Sequence, residues 1–159
     1  MLFEPKVDRW VHFLVHRALD MGLRAWIHAL TAPSNSSIPI DDGQYKLVCI
    51  VNHSLKMGKG KIAAQVGHAS VEACLKSIQK QPQIFEVWKR QGQRKVVVKA
   101  IDADEIEAIL LAAKDAGLAT NRIRDAGKTQ IPSGSLTVGA IGPAIESELD
   151  ELTGHLKLL

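Results

Sequence analysis

From residue 45 onward the apolar positions follow a readable pattern, with short runs of Val, Ile and Leu alternating with longer stretches of helical spacing. The pattern predicts strand 45–52, helix 60–79, a short helix 82–91 opened by Pro82, strand 94–100, helix 103–116, strands 119–124 and 136–141, and helix 144–153. Asp102 is placed to cap the 103–116 helix and Gly117 to end it. Strands alternating with helices argue for an α/β domain whose sheet is mostly covered.

Residues 1–44 have a different texture. Residues 1–31 read as an amphipathic N-terminal helix. Asp8, His12, His16, Asp20, Arg24 and His28 form a polar stripe opposite much of Val11, Leu14, Val15, Ala18, Leu19 and Trp26. Arg17, Asp20 and Arg24 break the run, so it does not supply the ~20 apolar residues of a spanning helix. Such a segment can dock on the domain, lie on a membrane, contact a protein partner, or act as an organelle-targeting peptide, although Glu4, Asp8 and Asp20 argue against targeting. The His12/His16 spacing suits either a metal or, more often, a solvated polar face. Residues 32–44, rich in Pro, Ser and Asp, read as a flexible linker, which leaves 45–159 as the catalytic domain.

Composition sharpens this picture only slightly. The formal net charge is +3, and residues 45–159 supply the whole excess, with sixteen basic and twelve acidic side chains. That suits a nucleic-acid partner without requiring one. Aromatic residues make up 4% of the chain, too few for a base-stacking platform, so RNA would be held by phosphate and sugar. Cys49 and Cys74 lack partners at metal-ligand spacing and read as core thiols.

Two constellations carry candidate chemistry. The first is the corner where strand 45–52 meets helix 60–79. Lys56, Lys59 and Lys61 alternate there with Gly58 and Gly60, so a helix start, glycines and three cations favour an anion. A triphosphate loop of the GxxxxGK[ST] type is absent. Gln65 and His68 share the adjoining helix face. The second follows strand 119–124: Asp125, Gly127, Lys128, Thr129 and, at the next strand, Thr137. A carboxylate, two hydroxyls and a cation can position water and polarise a carbonyl, whereas Asp-Ala-Gly is also an ordinary turn. No GxSxG, HExxH or cysteine cluster is present.

Taken together, KMGKGKIAAQVGHA (56–69), RDAGKTQI (124–131), GSLTVGAIGP (134–143) and TGHLKLL (153–159) resemble the type II peptidyl-tRNA hydrolases of archaea and eukaryotes. The resemblance implies a three-layer α/β domain with a mixed four-stranded sheet flanked by helices on both faces, usually a homodimer. It implies cleavage of the ester between peptide and tRNA without metal or other cofactor. By resemblance the catalytic positions are Lys61, Asp125, Thr129 and Thr137, with Gln65 and His68 in support and the two threonines holding ribose or water. Lys56, Lys59, Lys95, Lys99 and Lys128 are candidate phosphate contacts. The family usually carries an arginine and an aspartate just before the lysine loop, where this chain has Asn52, His53 and Ser54, so the loop is expected to be looser here. Eukaryotic relatives are associated with mitochondria, so the expectation here is a cytoplasmic protein that can associate with mitochondria. Their link to cell-death signalling makes a non-catalytic adaptor on the same fold the alternative.

Overall fold

Strand β1 (Tyr45–Asn52) is buried at every position because it runs through the middle of a sheet covered on both faces. The computed structural model describes residues 43–127 and 131–159; the helix expected over 1–31 and most of the 32–44 linker lie outside them, as do Lys128 and Thr129. After β1 come a 3-10 turn (His53–Leu55), α1 (Lys59–Lys80), α2 (Pro82–Arg90), β2 (Lys95–Ala100), α3 (Ala103–Asp115), β3 (Thr120–Arg124), β4 (Leu136–Ile145), α4 (Glu146–Thr153) and β5 (Lys157–Leu158). The strand order is β3-β4-β1-β2-β5. β2 pairs parallel to β1, with Cys49 opposite Val97. β4 runs antiparallel to β1 and to β3, so β1, β2 and β3 all point the same way.

Alternation along β1 divides the core. Tyr45, Leu47, Cys49 and Val51 pack under α1 and α2 with Ala69, Ala73 and Trp88. Val48 and Ile50 face the other way, onto Ile106 and Leu110 of α3 and Leu149 of α4. The expected α/β layering with helices on both faces is therefore present. The close approach of α3 explains Gly139 in β4, where an added Cβ would meet the Ile106 Cγ2 at 2.6 Å.

Two expectations need correction. The sheet has five strands rather than four, because Lys157–Leu158 pairs antiparallel with Val98 and Lys99. A two-residue strand is too short to show an alternation in sequence. Likewise β4 does not stop at 141 but continues through Pro143 to Ile145, and α4 begins only at Glu146. Gly-Pro reads as a breaker, yet here it sits at a register shift opposite Lys46 and Val48, where a strand tolerates proline. Gly142 has φ 98°, and an added Cβ would lie 3.0 Å from the Lys46 carbonyl oxygen. Asp102 and Gly117 do what their types predict: the Asp102 carboxylate accepts the Glu105 N–H at 3.0 Å, and Gly117 takes φ 80°.

Candidate active site

The C-terminal ends of the parallel strands β1 and β3, with the start of β4 between them, form one rim of the sheet, the position where α/β folds carry chemistry. β1 ends in Asn52, whose buried side chain does two jobs. Its Nδ2 donates to the Leu136 carbonyl of β4 at 2.9 Å, while its Oδ1 accepts from the Ser54 N–H at 3.1 Å and the Ser54 hydroxyl at 2.7 Å. This caps the 3-10 turn, which ends at Lys56 in the left-handed region, φ 46°. The turn before the lysine loop is thus tied to β4 through Asn52, one of the three residues standing where the family usually carries an arginine and an aspartate. The sequence signal was legible as an Asn two residues before Ser54, a cap spacing.

The chain then enters α1 at Gly58 with no side-chain cap and no acid in the first turn. The first-turn N–H groups and the exposed Lys56 and Lys59 therefore give this corner a positive end. Lys61 turns inward. Its Nζ donates to Asp125 Oδ1 at 2.6 Å, across 64 positions of sequence, with 17% of the lysine and 4% of the aspartate side chain exposed. The other carboxylate oxygen accepts the Gly127 N–H at 3.0 Å. The Asp125 backbone is clamped as well, donating to Ser135 at 2.9 Å and accepting from Gly134 at 2.8 Å. Gly127, at φ 77°, leaves no room for a side chain, since a Cβ would meet Ser133 at 2.7 Å. The ammonium partner and the N–H donor give this buried carboxylate hydrogen bonds in place of those it would make to water.

Thr137 is fully buried, and its hydroxyl lies 2.7 Å from Gln65 Oε1 and 2.9 Å from the Ile123 carbonyl. One hydroxyl proton cannot serve two acceptors fully. A 180° turn of the Gln65 carboxamide resolves this, with Nε2 donating to Thr137 and Thr137 donating to Ile123. Either way Thr137 holds Gln65 against the end of β3.

The other residues expected from the sequence are dispersed. His68 is exposed on α1 and lines a groove of about 640 Å³ with Ala64, Gly67, Val71, Arg122 and Ile123. Lys99 lies at the same end of the sheet as the Lys61–Asp125 pair, opposite Val51. Lys95 lies at the far end, where it donates to the Gln93 carbonyl at 2.8 Å and covers the Trp88 ring at 4.9 Å. Missing from the sequence reading were Asn52 as an anchor, the Gly127 N–H and the Ile123 carbonyl. Only the Asp-x-Gly turn hinted at the second. Among the described residues no group of three or more His, Cys, Asp or Glu side chains could hold a metal ion.

The profile of the family described as Peptidyl-tRNA hydrolase PTH2 matches residues 45–159. The chain is similar to the mouse and human proteins named Peptidyl-tRNA hydrolase 2, mitochondrial, each 48% identical over 125 residues, covering 79% of this chain and 69% and 70% of the relatives. It is also 47% identical over 114 residues to the Peptidyl-tRNA hydrolase of Methanocaldococcus jannaschii, covering 72% of this chain and 99% of that protein.

Proposed function

The chain belongs to the peptidyl-tRNA hydrolase PTH2 family, and from that premise we propose that the Lys61–Asp125 pair is the centre at which it hydrolyses peptidyl-tRNA. The enzyme cleaves the ester between a peptide and the 3′ end of tRNA, releasing free peptide and tRNA. The observation that carries the site assignment is the 2.6 Å contact between a buried aspartate and a partly exposed lysine on the cationic rim.

An aspartate bonded to an ammonium is a weak base, so its task is chiefly to orient water toward the ester carbonyl. Water adds to that carbon, and the negative charge developing on the carbonyl oxygen is stabilised by the Lys61 ammonium. Collapse expels the ribose 3′-oxygen, which leaves as a hydroxyl after taking up a proton from the attacking water. Thr137 acts through Gln65, which it positions. Thr129, four residues beyond Asp125, is the second hydroxyl, suited to holding ribose or water. Lys56, Lys59, Lys99 and Lys128 meet phosphates. A role for Lys95 in phosphate binding would place the strand beyond this rim.

Asp125→Asn is expected to lower single-turnover hydrolysis about 10²–10³-fold. Lys61→Ala should lose comparable activity while labelled tRNA still binds. Full hydrolysis by Asp125→Asn would overturn the water-handling role.

We also infer association with mitochondria beside a cytoplasmic pool, because two of the relatives named above are called mitochondrial. The N-terminal segment is the candidate determinant, through a membrane or protein contact, and the enzyme is expected to act as a homodimer. Imaging the full chain beside a version starting at Gln44 tests the first inference; an unchanged distribution would remove the segment's targeting role.

A further inference from the structure

The catalytic reading leaves the peptide half of the substrate without a place, and the groove between α1 and β3 is lined by Ala64, three residues past Lys61, and by Arg124, the residue before Asp125. One wall descends α1 through Ala64, Gly67, His68, Val71 and Glu72, a span of about 12 Å at 1.5 Å per residue. The other is β3, an edge strand. Thr137 ties the two walls together at the top, touching Gln65 on one and the Ile123 carbonyl on the other. The volume of about 640 Å³ falls within the range of roughly 300–1,000 Å³ typical of ligand sites.

The backbone direction of β3 matters most. The Ala119 carbonyl accepts from Gly142, the Ile123 carbonyl accepts from Thr137, and Asp125 exchanges both its main-chain groups with the chain beside β4. Odd-numbered residues therefore turn their main-chain groups inward. By alternation Arg122 and Arg124 turn theirs outward, along the groove. Their guanidinium groups are both drawn to Glu107, at 2.7 and 3.2 Å, on the α3 side of the sheet. Among the described residues, what remains along the groove is an unpaired strand edge facing Ala64, Gly67 and Val71 as well as His68 and Glu72, with Val71 60% exposed and open space at the Gly67 Cβ position.

We propose that this groove binds the peptide of peptidyl-tRNA as an added β-strand on the outer edge of β3. The proposal rests on the catalytic reading of the Lys61–Asp125 pair. Main-chain pairing suits an enzyme acting on peptides of any sequence, because every peptide offers the same N–H and C=O groups. About three to four extended residues fit a 12 Å run at ~3.4 Å each, so only the residues nearest the ester are held. His68 and Glu72 border the strand as side-chain neighbours.

The test compares tRNA carrying N-acetylalanine with tRNA carrying N-acetyl-trialanine, using the full chain. The longer peptide should raise kcat/KM about ten-fold, from two or so added main-chain bonds. N-methylating one amide of the tripeptide should remove most of that gain. Gly67→Leu should keep or raise the melting temperature, since leucine is the better helix former, while bringing the ratio between the two substrates close to one. Equal kcat/KM for both peptides in the wild type, no effect of N-methylation, or an equal loss on both substrates in Gly67→Leu would overturn the proposal. So would a Gly67→Leu protein that changes oligomeric state but keeps its length preference, because the groove would then hold a second copy. Amide-linked analogues, acetyl-alanyl- and acetyl-trialanyl-aminoadenosine, read the same ratio by binding alone. A wild type that cleaves neither ester but prefers the longer analogue would fail the catalytic reading and keep the groove.

Discussion

Asn52 shows how one buried amide can set the geometry of the lysine loop. Its three hydrogen bonds join β1 to β4 and cap the turn that delivers Lys56 to Lys61. Asn52→Ala removes both the cap and the partner of the Leu136 carbonyl, and should cost about 1–2 kcal/mol in urea unfolding. Because the loop leads into Lys61, activity should fall with it, while Asn52→Asp should restore the cap but not the bond to Leu136. A variant with unchanged stability would show that the turn holds itself. The Lys61–Asp125 pair is the complementary case, since each residue type is common and only their closure over 64 positions makes them a site.

At the scale of elements, α4 is held to the sheet by charge as well as by Leu149. Lys46, 5% exposed at its side chain, meets Glu146 at 3.3 Å and Asp150 at 2.6 Å, and Arg94 also binds Glu146. Glu146→Gln with Asp150→Asn strands a buried ammonium and should cost about 3 kcal/mol or more. Lys46→Met only returns two partly exposed carboxylates to water and should cost less. The reverse order in denaturant titrations would show that the cation does not need its partners. The Arg94 guanidinium, helped by Lys46, holds the Glu146 carboxyl below its ordinary value of 4.5. A depressed carboxyl contributes stability above the unfolded value and loses it as pH falls through the folded one. The stability gap between the wild type and Glu146→Gln should therefore be full above pH 4.5 and close below it. A gap constant to pH 3 would refute the linkage.

For the whole molecule, β1 is the common wall of both core layers, so its exposure reports global opening. Burial pushes the Cys49 thiol up to about 11, and its side chain is inaccessible, whereas Cys74 is half-buried. Native protein should take up one equivalent of a thiol reagent at Cys74, with Cys49 reacting only as the fold is lost. Labelling of Cys49 well below the unfolding midpoint, tracked by peptide mass, would mean that the layers open separately. The order of strands and helices from residue 45 to 153 was legible because periodicity of 2 and 3.6 is a local property of side-chain spacing. β5 and the extension of β4 through Pro143 were not, because neighbours across the sheet stabilise them. Motif chemistry likewise put Lys61 and Asp125 among the candidates from sequence. Only the tertiary structure separated Lys99 from Lys95, which share a strand and a residue type but occupy opposite ends of the sheet. It also made Thr137 a buried support for Gln65 and, among the described residues, left one edge of β3 unpaired beside α1. Sequence determined which groups the chain carries and how they repeat, while distance between remote groups, burial and the pairing of strand edges exist only once the chain has closed on itself.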